Sequence, residues 1–86
     1  MSIEIRALLM DDYARRIALF CTEPHSSSEI VKHITPYKTT DPRYYERVVS
    51  DRLRKLEGIK AITYSEGKWK TTSIASDILK KYFGLR

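Results

Sequence analysis

The sequence predicts an α+β fold, mostly α, in which three helices are followed by a two-stranded ribbon and a last helix. Apolar side chains recur at i, i+3 and i+4 spacing over four stretches, the mark of helices that bury one face. Between the third and fourth stretches, residues 59–64 and 69–72 are short, β-branched and aromatic, and Ser65-Glu66-Gly67-Lys68 between them is a turn signal. The length bounds the rest: 86 residues make one small domain, 1–86, with no internal repeat and no low-complexity segment.

The first helix is placed at about 10–22. Met10, Tyr13, Ala14, Ile17, Phe20 and Cys21 share a face, and Asp11 and Asp12 suit a first turn. Ile3 to Met10 fits either a short strand or an N-terminal extension of this helix. If the helix is continuous, Leu8 and Leu19 fall on the opposite face, a second apolar strip that suits a partner subunit. Pro24 breaks the helix. Ser26 and Glu29 then have the S-x-x-E spacing of a capping box, and Ile30, Val31 and Ile34 supply the buried side of a second helix at about 27–34. Thr35 to Thr40, with Pro36, is a polar connection longer than that of the tightest helix-turn-helix.

Asp41 to Gly58 reads as an amphipathic helix, about 42–57, with two different faces. Tyr45, Val48, Val49, Leu53 and Leu56 fall within one arc, while Arg43, Arg47, Ser50 and Arg54 lie opposite them. Asp41 before Pro42 suits a capped start, and Gly58 a stop. Arg52 projects into the apolar arc, where it snorkels or pairs with a carboxylate. Asp51, four residues from both Arg47 and Lys55, is placed to orient them. The ribbon spans about 59–72. With Glu66 and Gly67 as its two loop residues, Tyr64 faces Trp69 across the strands. The final helix, about 74–83, has Ile74, Ala75, Ile78, Leu79, Tyr82 and Phe83 at helical spacing, Lys80 and Lys81 near its end and Gly84 as its stop.

Charge placement says more than the net +5. Residues 1–40 carry five basic and five acidic side chains, whereas residues 41–86 carry eleven basic against six acidic. The excess thus coincides with the helical arginine stripe and points to a polyanionic partner. The single Cys21 excludes an intrachain disulfide, and no stretch has the length and composition of a signal peptide or membrane span, so a cytoplasmic protein is expected. The chain contains no Asn and no Gln, which fits a thermophilic source. Catalysis, metal binding and cofactor binding find no support: His25 and His33 have no second pair of ligands, and no Gly-rich phosphate loop is present. No small-molecule effector is identifiable.

Val49-Ser50-x-x-Leu53-x-x-Leu56-Glu57-Gly58-Ile59 resembles the V-S-x-x-L-x-x-L-E, with a following Gly, that ends the recognition helix of winged helix-turn-helix regulators of the ArsR and MarR groups. Thr72-x-x-Ala75-x-x-Ile78-Leu79 is similar to their step from wing into last helix, with Ala in place of the usual Gly. Ser26-Ser27-Ser28-Glu29-Ile30 resembles the opening of their second helix. The resemblance covers roughly residues 20–83. It implies a transcriptional regulator binding double-stranded DNA as a homodimer, with the third helix in the major groove and the ribbon as a wing on the backbone. The Cys-x-Cys pattern of the metal sensors is absent, so regulation by metal is not implied.

The candidate DNA-binding residues are Arg43, Tyr44, Arg47, Ser50, Asp51 and Arg54 on the third helix, Lys38, Thr39 and Thr40 before it, and Lys68 and Lys70 on the ribbon. Without Asn or Gln, base readout by this helix rests on Arg to guanine, with Ser, Thr or Tyr contacts beside it. Two other readings fit the same elements. One is a winged helix used as a protein-interaction module in a transcription, replication or membrane-remodelling assembly. The other is RNA or single-strand binding through Tyr44, Tyr64 and Trp69.

Overall fold

The computed structural model describes residues 2–84. Its order is α1 (Ser2–Leu8), α2 (Asp12–Phe20), α3 (Ser27–Ile34), α4 (Pro42–Gly58), β1 (Ile62–Ser65), β2 (Lys68–Thr71) and α5 (Ser73–Phe83). The fold is therefore α+β and mostly helical, with one antiparallel hairpin among the described residues. No helix among them is long and apolar enough to cross a membrane.

The helix expected at about 10–22 is α2, Asp12–Phe20, and a second helix, α1, precedes it. Ile3 to Leu8 is helical, but as a helix separate from α2, so it is neither the strand nor the continuous extension that the sequence allowed. The break has a packing cause. On a continuous helix Leu9 would lie roughly 120° from the face of Ala14, Ile17, Ala18 and Cys21, so both could not be buried on one side. Breaking the helix at Met10 and Asp11 buries Ile5 and Leu9 with that face and leaves Met10 exposed, contrary to its expected place in the core. Asp11 then serves as the N-cap of α2, accepting from the Ala14 N–H at 2.9 Å. Leu8 and Leu19 are half-buried against the same core, so they form no second apolar strip.

The capping box of α3 is present: Glu29 N–H donates to Ser26 Oγ at 3.3 Å, and Ser26 N–H to Glu29 Oε1 at 2.8 Å. The start and stop of α4 differ from expectation. Asp41 makes no side-chain cap; its own N–H instead donates to Thr39 Oγ1 at 3.4 Å. Gly58 is the last helical residue, and the left-handed position falls two residues later, on Lys60 with φ 63°. There Ala61 N–H donates to the Leu56 carbonyl at 2.8 Å and Lys60 N–H to the Glu57 carbonyl at 3.0 Å. This is a Schellman arrangement in which buried Ala61 and Leu56 fix the exit, so packing overrides the glycine preference.

The hairpin pairs Ile62 with Thr71, Thr63 with Lys70, Tyr64 with Trp69 and Ser65 with Lys68. Glu66 and Gly67 both have positive φ, 53° and 79°, as a two-residue type I′ loop requires. His25, just before α3, pairs with the outer edge of β2: its N–H donates to the Trp69 carbonyl at 3.0 Å, and Trp69 N–H to the His25 carbonyl at 2.7 Å. Thr71 is buried and donates its hydroxyl to the Ala18 carbonyl. These bonds hold the base of the hairpin against α2 and the start of α3. Thr72 caps α5, and Gly84 ends it with φ 67°. Ala75, Ile78 and Leu79 are buried, but Ile74 and Tyr82 are largely exposed rather than part of the packed face.

Candidate nucleic-acid interface

Helix α4 is held by Val48, Val49, Leu53 and Leu56 on its inner side, all buried. Packing against α2, α3 and β1 leaves Arg43, Arg47, Ser50 and Arg54 exposed along the other side. None of these three guanidiniums forms an ion pair among the described residues, whereas other basic groups nearby do. Arg52 Nε lies 3.0 Å from Asp11 Oδ2, and its Nη1 lies 3.1 Å from Asp51 Oδ2. Arg15 holds Asp12 at 2.6 Å, and Lys55 holds Asp51 at 3.3 Å. The basic side chains of α4 thus sort into two groups, Arg52 and Lys55 paired with carboxylates and Arg43, Arg47 and Arg54 left facing water.

The remaining candidates are spread unevenly. Asp51 orients Arg52 and Lys55 but does not pair with Arg47. Tyr44 is exposed and meets Tyr45 edge-on at 5.0 Å, at the same end of α4 as Arg43. Lys38 and Thr40 are exposed in the connection between α3 and α4, while half-buried Thr39 is used by the backbone of Asp41. Tyr37, in the same connection, is almost fully exposed at 96%. Lys68 is exposed beside the hairpin loop, but the Lys70 ammonium donates to the Thr22 carbonyl at 2.9 Å. Lys70 therefore ties the hairpin to the end of α2 as well as carrying charge, which differs from a side chain given over to a partner.

Between the start of α3, the outward side of α4 and β2 lies a cleft of about 450 Å³. Val31, Val49, Leu53 and Trp69 form its apolar floor; Ser27, Glu46, Ser50, Arg54 and Glu57 surround it. Trp69 is half-buried there, its ring 4.7 Å from Tyr64 and its indole N–H donating to Ser27 Oγ at 3.0 Å. Sequence reasoning singled out Ser50 and Arg54 but passed over Glu46 and Glu57. The signal was available: each lies three residues after an arginine of the stripe and so shares its side of the helix.

A second unanticipated feature is a stack of three rings. Phe20 lies between His25, 3.8 Å away at 8°, and His33, 4.0 Å away at 6°. It locks the end of α2 to both ends of α3. Cys21, beside it in the chain, is fully buried, and burial pushes its thiol up to about 12, which suits an inert core side chain. No three His, Cys, Asp or Glu side chains among the described residues are grouped so as to hold a metal ion.

The chain matches no family model, no curated protein and no solved structure.

Proposed function

We propose that this chain is a winged helix-turn-helix protein that binds double-stranded DNA as a transcriptional regulator. In this reading α4 is the recognition helix and lies in the major groove, and the hairpin is the wing and lies on the backbone. The observation that carries it is the stripe of Arg43, Arg47 and Arg54, exposed and without carboxylate partners among the described residues, on a helix whose other basic groups are paired internally. A helix that left three guanidiniums unpaired by chance would gain nothing from their alignment, whereas phosphates and guanine edges reward it. The pairing of His25 with β2, which ties the wing to the start of α3, supports the same arrangement of helix and ribbon. Two copies of the chain are part of the proposal, as exposed Ile3, Ile74 and Tyr82 on the first and last helices offer apolar area for pairing.

The test is binding to duplex DNA at two salt concentrations, using the natural chain and single Ala variants of Arg43, Arg47 and Arg54. Each variant is expected to bind more weakly with an unchanged melting temperature, and the salt dependence is expected to be steep. Unaltered affinity in all three variants removes α4 from the interface. A second reading, as a protein-interaction module, is favoured by the apolar floor of the cleft and the two glutamates beside it. It predicts no binding to duplex DNA at either salt concentration.

A further inference from the structure

Helix α4 carries two copies of one pattern, Arg43-x-x-Glu46 and Arg54-x-x-Glu57, eleven residues apart. Eleven residues are just over three turns, so both pairs lie on the outward side, about 16 Å apart along the axis. On a helical wheel centred on Ser50, Arg43, Arg47 and Arg54 fall roughly 20–60° to one side, and Glu57 and Glu46 roughly 20–40° to the other. The three-residue spacing lets each glutamate reach its arginine. Neither pair is closed, although Asp12–Arg15 and Asp51–Lys55 are closed at similar spacings in the same chain. All five side chains are exposed.

We infer that Glu46 and Glu57 are base-reading residues and that the preferred DNA of this chain is rich in G·C pairs. The inference rests on the major-groove reading above. A carboxylate facing the groove is repelled by phosphates on either side, so it is tolerated only where a donor meets it. Cytosine presents such a donor, its N4 amino group, and guanine in the same pair presents the O6 and N7 acceptors that suit Arg. A helix with guanidiniums on one side and carboxylates on the other therefore matches the two halves of a G·C edge. It fits an A·T pair less well, because there the donor, adenine N6, takes the place of guanine O6 beside N7, and the thymine half turns an acceptor and a methyl group toward the carboxylate. The glutamates also weaken binding to every other sequence by repulsion, so discrimination comes from penalty as well as from attraction.

The test selects duplexes from a random library with the natural chain and with Glu46→Gln and Glu57→Gln, both exposed and checked by thermal melting. The natural chain is expected to enrich G·C pairs and to lose about tenfold in affinity when one such pair becomes A·T. Replacing guanine by inosine, which keeps the major-groove edge, should leave affinity within about twofold. Each Gln variant should bind random duplex more tightly and accept adenine at one position where the natural chain demands cytosine. Duplex binding without a G·C preference, or a preference kept intact by both Gln variants, overturns the inference while leaving DNA binding in place. Failure of the natural chain to bind any duplex overturns both.

Discussion

The Arg52 guanidinium grips Asp11 with two hydrogen bonds, Nε to Oδ2 at 3.0 Å and Nη2 to Oδ1 at 3.3 Å, while the same carboxylate caps α2. One side chain thus sets both the break between α1 and α2 and the seat of α4 on α2. Asp11→Ala should lower stability by about 1–2 kcal/mol, the loss of a cap with a partly exposed ion pair added. In a domain of this size that is a fall of roughly 4–16 °C in melting temperature. Arg47→Ala, on the open stripe, should leave the melting temperature within error. Equal losses in the two variants would remove the distinction between paired and open arginines.

The same contact makes stability depend on acid. The hydrogen bond from Arg52 holds the Asp11 carboxyl below its ordinary value, and the Ser26 backbone N–H does the same for Glu29. Both groups have folded-state values lowered relative to the unfolded chain, so their contribution is complete above the unfolded value. It is lost as pH falls through the folded one. Stability should therefore hold down to about pH 5 and decline below about pH 4, the ordinary carboxylate range. Asp11→Asn, which keeps a capping oxygen but not the charge, should flatten this decline in acid denaturation curves.

The sequence made legible what depends on periodicity and on two-residue chemistry. The buried side of α4, the Ser26 and Glu29 capping box, and the Tyr64 and Trp69 register follow from spacing alone. What it hid depends on tertiary competition. Nothing local in Leu8-Leu9-Met10-Asp11 says that Leu9 outweighs Met10 for the core, because that is decided by α5 packing against α1. A capping Asp and a stopping Gly are likewise only local preferences, which Thr39 and the buried Ala61 override at the two ends of α4. At the candidate site, the exposed arginines were legible from the helical wheel. The tether of Lys70 to Thr22 and the cleft around Trp69 were not, since both need His25 to lie beside β2.

Lys60 carries the backbone conformation that glycine adopts without cost. Its φ of 63° is strained for a residue with a Cβ, and its side chain is exposed, so Lys60→Gly should raise stability by about 0.5–1 kcal/mol. Gly67 is the converse. A Cβ there meets nothing within 4 Å, yet φ is 79°, so Gly67→Ala should lower stability by about 1 kcal/mol through backbone strain alone. Thermal melts of the two variants should shift in opposite directions, and a destabilised Lys60→Gly chain would mean that the lysine side chain supports the exit from α4.

The two hairpin lysines should separate in their dependence on salt. Lys68 stands exposed beside the loop, free to reach a phosphate, and its removal should flatten the plot of log affinity against log salt by about 0.9, one contact's worth of counterion release. Lys70 already spends its ammonium on the Thr22 carbonyl, so Lys70→Ala should flatten that plot by less, and the double variant should lose about one unit rather than two. The Lys70 change should act on the fold instead, loosening the hairpin where it meets the end of α2. Amide hydrogen exchange at Thr71 and Trp69, whose N–H groups bond to Cys21 and His25, should quicken in Lys70→Ala and stay unchanged in Lys68→Ala. Equal salt slopes for the two single variants, with no change in exchange, would place both ammonium groups on the DNA and make the tether to Thr22 a feature of the free chain alone.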